Sequence, residues 1–192
     1  VKSLLEEIKR SRAYTPEQAN AISQRQTVKH ELATQLAYAA GLRAHELLTL
    51  SKASERPPNN RPALDSKWQG RSGELYTVAG KGGLIRHVLI PNYLVEQLEA
   101  KKLQQPITVT DREINYLQHY DIGGGKKWSD SFSKASNRTL LFSTGAHGLR
   151  HSYAQERMVE LNALGFKYKT ALETVSQEMG HFRPEITEVY LR

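Results

Sequence analysis

The chain has 192 residues, 27 of them Lys or Arg and 20 Asp or Glu, for a formal charge of +7, and no cysteine. That length suits one well-buried core, so residues 1–192 read as a single domain; the missing cysteine excludes a disulfide framework, a thiolate metal centre and a cysteine nucleophile together. No apolar run reaches the length of a membrane span and Val1 opens directly into charged residues, so a soluble, cytoplasmic protein is the expectation.

The positive surplus points to a polyanionic partner. It falls in three groups: Lys2, Lys9, Arg10 and Arg12; then Lys52, Arg56, Arg61, Lys67 and Arg71; then Lys126, Lys127, Lys134 and Arg138. A solvated charged surface accounts for such patches equally well.

In chain order, Thr15-Pro16-Glu17 reads as N-cap, first-turn proline and first-turn acid of a helix to about Ser23. Val28, Leu32, Leu36 and Ala39 recur at helical spacing until Gly41. Arg43 follows at the start of a short helix expected over 44–50. Residues 51–73, with Pro57-Pro58-Asn59-Asn60 and Pro62, lack periodicity and read as a long loop, functional or mobile. Glu74 to Ala79 and Ile85 to Ile90 are β-rich runs, joined by Gly80-Lys81-Gly82-Gly83 as a hairpin with Lys81 at its tip.

Helices are expected over 91–103 and 110–119, the second opened by the capping box Thr110-Asp111-Arg112-Glu113. Gly123-Gly124-Gly125-Lys126-Lys127 reads as a flexible basic loop before a helix over 129–135. Helices over 148–164, 168–179 and 185–191 complete a mainly α chain with one small antiparallel hairpin, an α+β class without internal repeats.

Six side chains spread over these elements, Arg43, Lys81, His147, Arg150, His181 and Tyr190, fit one chemical job, with Glu46 a turn beyond Arg43. Two arginines, a lysine and two histidines supply the charge and donors that a phosphodiester needs when a tyrosine hydroxyl attacks its phosphorus. Singly, each has a plain reading: Arg43 pairs with Glu46 or Glu31, His147 starts a helix, Tyr190 packs on a helix face, and Lys81 is an exposed hairpin lysine.

Taken in order, Gly41-Leu42-Arg43-Ala44-His45-Glu46-Leu47-Leu48, Gly80-Lys81-Gly82-Gly83, His147-Gly148-Leu149-Arg150-His151, Met179-Gly180-His181 and Tyr190 resemble the catalytic domain of the tyrosine recombinases, the phage-integrase family. The resemblance runs from Thr15 to the end of the chain. It implies that family's fold and a DNA strand transferase, a site-specific recombinase or integrase acting through a 3′-phosphotyrosine on Tyr190 with no metal and no other cofactor. Arg43 and Arg150 would then clamp the non-bridging phosphate oxygens, and Lys81 would enter the minor groove and protonate the leaving 5′ oxygen. His147 would shuttle a proton near the nucleophile and His181 would donate to a phosphate oxygen. Glu46 would orient an arginine or histidine, and His151 would be structural.

The resemblance further implies double-stranded DNA carrying attachment or recombination sites as partner, and it favours a bacterial phage or integrative element acting at the nucleoid. Contacts to that DNA are expected from Lys52, Arg61, Lys67, Lys81, Arg86, Lys126 and Lys127, and from the basic loop 54–68. A homotetramer would form the synapse, with accessory DNA-bending proteins as further partners. A preceding core-binding domain would lie outside this sequence, with 1–14 as a linker. The segment 184–192, whose evident anchors are Ile186 and Val189, is expected to let Tyr190 leave the arginines when DNA is absent.

Other classes stay open. A DNA-binding module with the same fold but no chemistry, and a type IB topoisomerase, share these residues. His147 and His151, spaced i, i+4, would also suit a metallohydrolase completed by His181 or Glu185, although Gly148 stands where the water-activating glutamate of His-Glu-x-x-His belongs. Gly80 to Gly83 lacks the earlier glycine and following Ser or Thr of a nucleotide-binding loop.

Overall fold

The computed structural model describes residues 11–192; Lys2, Lys9, Arg10 and most of the expected linker lie outside the described residues. Tyr14, at the end of that stretch, is a core residue, its hydroxyl donating to Gly145 O. Thr15 then caps α1 (Pro16–Ser23) through a reciprocal capping box with Gln18. α2 (Val28–Ala40) buries Leu32, Leu36, Ala37 and Ala40 and ends at Gly41. A 3-10 turn, Glu46–Thr49, replaces the expected helix over 44–50.

Three strands make the main sheet, in order β1 (Ser51–Lys52), β2 (Glu74–Ala79) and β3 (Ile85–Ile90), all antiparallel. β3 alternates side chains between a buried and a half-open face, which pins the register Ala79↔Ile85 to Glu74↔Ile90. The segment between β1 and β2 is no free loop. Leu64 N and Trp68 N donate to Gln177 and Glu178, and Ser66 bonds Thr174, so it is laced to the sixth helix.

After α3 (Asn92–Glu99) the chain departs from the helix expected over 110–119 and forms a second hairpin, β4 (Lys102–Asp111) and β5 (Ile114–Tyr120). Ile107, Thr108, Val109 and Thr110 are β-branched and favour the pleated surface. Thr110 donates across the ladder to Asn115 instead of capping a helix. Arg112 and Glu113 both take positive φ, 49° and 67°, the two-residue turn that suits the twist of paired strands.

α4 (Gly125–Leu140) begins earlier than expected, so Lys126 and Lys127 stand on its first turn, not in a loop. α5 (Gly148–Ala163), α6 (Tyr168–Met179) and α7 (Pro184–Glu188), followed by a 3-10 turn Val189–Leu191, complete the described residues. The larger core gathers α1 to α4 and the sheet; the smaller holds Tyr153, Ala154, Leu161, Ala171, Val175, Met179 and Tyr190. Helix α5 joins them, giving Leu149 to the first and Tyr153 to the second, and its buried Arg150 lies at the junction. No described helix is long and apolar enough to cross a membrane.

Candidate active site

Gly41 sets the site's first wall. It closes α2 at φ +67°, where an added Cβ would meet the Tyr153 ring at 2.8 Å, and its carbonyl accepts from Arg150. The chain turns there so that Arg43 and Glu46 follow at once. Glu46 is fully buried and takes three guanidiniums: Arg86 at 3.0 and 3.2 Å, Arg43 at 3.5 Å and Arg150 at 3.8 Å. It also accepts the Arg43 backbone N–H at 2.8 Å. Burial pushes the Glu46 carboxyl up, but Arg86, Arg150 and Arg43 outweigh it and hold it at about 2. Three cations sharing one anion leave an excess of positive charge, which an anionic ligand would offset.

Arg150 is wholly buried, donating to Met179 O at 3.3 Å and to His181 Nε2 at 2.8 Å, while its Nε has no hydrogen-bond partner. Burial, then Arg43, lower it to about 10, so it stays charged at neutral pH. A guanidinium only donates, so His181 Nε2 must accept, and Nδ1–H donates to Thr187 Oγ1 at 3.0 Å. Burial and Arg150 hold His181 at about 3, in keeping with a neutral ring. Both ring nitrogens of His181 are thus engaged within the fold.

Tyr190 is docked. Its hydroxyl lies 2.8 Å from His147 Nε2, its ring stacks on His181 at 5.0 Å and packs on His151 at 4.9 Å, and the Arg150 guanidinium carbon lies 5.4 Å from its centroid. Burial, then Arg150, push His147 down to about 4. The segment is anchored not by Ile186 and Val189, which are exposed, but by buried Thr187 and Tyr190 itself. Gln155 donates to Tyr190 O, and His151 donates to Arg192 O, a structural use of that ring.

Lys81 is exposed on the 3-10 turn Lys81–Gly83 and lines, with Arg43 and His147, a cleft of about 670 Å³. Ile114 and Tyr116 of the second hairpin form part of its wall. Among the described residues no three His, Asp or Glu side chains are grouped to hold a metal ion, so the pair His147 and His151 finds no third ligand.

The remaining basic residues divide. Arg86 is buried against Glu46 and Glu178 O and is not available to DNA, because each of its three nitrogens is engaged inside the fold. Arg56 and Arg71 are structural as well, donating to Thr49 O and Thr77 and to Glu160 and Ala39 O. Lys52 sits 3.9 Å from Glu99, Lys67 lies over the Trp68 ring at 4.5 Å and exposed Arg61 over Phe182 at 5.1 Å. Lys126 and Lys127 are exposed, the former paired with Asp130 at 2.6 Å. Sequence reasoning missed Thr187, which orients His181, and Glu178, whose carboxylate binds Arg157 and Tyr153 behind the site. Neither stands in a motif that would have singled it out.

Comparison of the sequence with family models and with curated proteins gives no match. Solved structures do match. The catalytic domain of bacteriophage HP1 integrase is 16% identical with a TM-score of 0.57, covering 94% of this chain and 87% of that one. The XerH site-specific recombinase bound to difH substrate, 17% identical with a TM-score of 0.54, covers 94% of this chain, which spans 50% of it. The Tn1549 transposon integrase in complex with transposon right end DNA, also 17% identical with a TM-score of 0.54, covers 97% of this chain, which spans 63% of it. The chain thus has the fold of the tyrosine recombinase and integrase catalytic domains.

Proposed function

We propose that this chain is the strand-transferring domain of a site-specific DNA recombinase, with Tyr190 as nucleophile. The observation that carries the reading is the seating of the Tyr190 hydroxyl on a neutral His147 Nε2, beside two guanidiniums, buried Arg150 and half-buried Arg43, whose charge one carboxylate does not balance. In the proposed step Tyr190 Oη bonds to phosphorus as its proton passes to His147. The bond from phosphorus to the 5′ oxygen breaks, and that oxygen takes a proton from Lys81. Arg43 and Arg150, forks that match phosphate oxygens, neutralise the transition state, with the free Arg150 Nε–H as one donor. The 3′-phosphotyrosine conserves the bond for rejoining.

Support for DNA as substrate comes from the charge of +7, from the transposon right end DNA named in the Tn1549 structure and from the difH substrate of a site-specific recombinase named in the XerH structure. Lys81, Arg61, Lys126 and Lys127 are the exposed cations we assign to its backbone, with Lys52 and Lys67 nearer the fold. A synaptic homotetramer, acting for a phage or transposable element, is the proposed assembly.

The test incubates the chain in EDTA with a pool of nicked duplexes that trap the cleaved state. A covalent protein–DNA band on a denaturing gel that vanishes in Tyr190→Phe supports the reading. DNA binding without any such band would favour a binding module, and relaxation of supercoiled plasmid without exchange would favour a topoisomerase.

A further inference from the structure

We infer that Arg86 is a positioning residue that locks the Lys81 hairpin to both halves of the phosphate clamp; this rests on the strand-transfer reading above. Arg86 stands on β3, five residues beyond Lys81, and is 4% exposed. Its Nη2 and Nε grip the two Glu46 oxygens at 3.0 and 3.2 Å. That carboxylate in turn fixes the Arg43 backbone and faces Arg150. Its third nitrogen, Nη1, donates to Glu178 O at 2.8 Å, immediately before Met179-Gly180-His181.

The far end of this strap is rigid. The Glu178 carboxylate is held by Arg157 at 2.8 and 3.0 Å and by Tyr153 at 2.7 Å, all buried. Gly180, at φ +78°, closes over Arg86 so tightly that a Cβ would stand 2.5 Å from Arg86 Cδ. One planar guanidinium therefore touches the segments that carry Lys81, Arg43 and His181, without meeting the phosphate itself. A lysine ammonium is a point charge and cannot span both carboxylate oxygens and the carbonyl in that fork.

Arg86→Lys and Arg86→Gln test this on the full chain, with cleavage compared on phosphodiester and methylphosphonate pools of the same nicked duplexes. In a methylphosphonate one charged oxygen is gone, so alignment of the clamp matters less. Both variants are expected to melt cooperatively and to bind DNA as the parent does. Adduct formation on phosphodiesters is expected to slow about 100-fold, the order a small misplacement of reacting groups costs, with most of the loss recovered on methylphosphonates. Equal loss on both substrates, no loss, or loss of the melting transition would make Arg86 a plain core residue and overturn the inference. If the parent itself forms no adduct, the strand-transfer reading fails instead. Inorganic phosphate then decides: affinity lowered several-fold in Arg86→Lys supports the positioning role, and unchanged affinity overturns it.

Discussion

The Tyr190 hydroxyl faces His147 Nε2 at 2.8 Å, which pairs the proposed nucleophile with its proposed proton acceptor across 43 positions of the chain. The His147 ring is neutral at pH 7 because burial and Arg150 depress it. His147→Gln keeps a hydrogen-bonding side chain but no base, so adduct formation should slow by about 10²- to 10⁴-fold. Tyr190→Phe should abolish it while leaving DNA binding intact, as a gel-shift alongside the denaturing gel would reveal.

Arg43 and Arg150 should resist conservative replacement. Arg150→Lys removes the fork that reaches Gly41 O, Met179 O and His181 together, and Arg43→Lys removes a directed pair of donors at the cleft. Each is expected to lower the cleavage rate by about 10²- to 10³-fold, the scale for one lost transition-state donor. A single-turnover assay at saturating protein measures this apart from DNA affinity, and near-parent rates in either lysine variant would remove that arginine from the clamp.

Behind the site, Glu178 and Arg157 form a doubly hydrogen-bonded pair, both side chains fully buried. Glu178→Ala takes from Arg157 and the Tyr153 hydroxyl their shared acceptor and leaves Arg157 only its Nη1 bonds to Glu160 and Gln69 O. The expected cost is about 3–5 kcal/mol of folding stability, read by urea denaturation. Arg157→Ala should cost a comparable amount, since it leaves the carboxylate unpaired.

All seven histidines are held below their ordinary value in the fold, His147 to about 4 and His181 to about 3, with burial the leading cause in each. Below pH about 6.5 the unfolded chain binds protons that the folded chain refuses. Stability is therefore full above that value and falls as pH drops from about 6.5 towards the folded values. Melting temperature should decline between pH 7.5 and 5, a range above the titration of Glu46. His181→Gln should flatten the decline, and a pH-independent melting temperature across that range would contradict the assignment.

Much of this was legible in the chain. β-rich composition made 74–79 and 85–90 readable as strands to the residue, and Thr15, Gly41 and Gly180 marked helix ends that the fold keeps. The second hairpin was not legible, because its turn is made by Arg112 and Glu113 at positive φ and not by Asn-Gly, and Thr110 to Glu113 imitates a helix cap.

By itself the sequence determined the local elements and the set of chemical groups, since periodicity, caps and side-chain type act over a few residues. Only the tertiary structure decided which cations face the cleft and which are spent inside. Arg43 and Arg86 look alike in sequence, yet one lines the cleft and the other is buried beneath Gly180, because burial of a charge depends on where its counter-ion lies in space, and Glu46 is 40 positions away from Arg86. The seating of Tyr190 on His147 is of the same kind: it exists because α5 and the C-terminal turn share one small core.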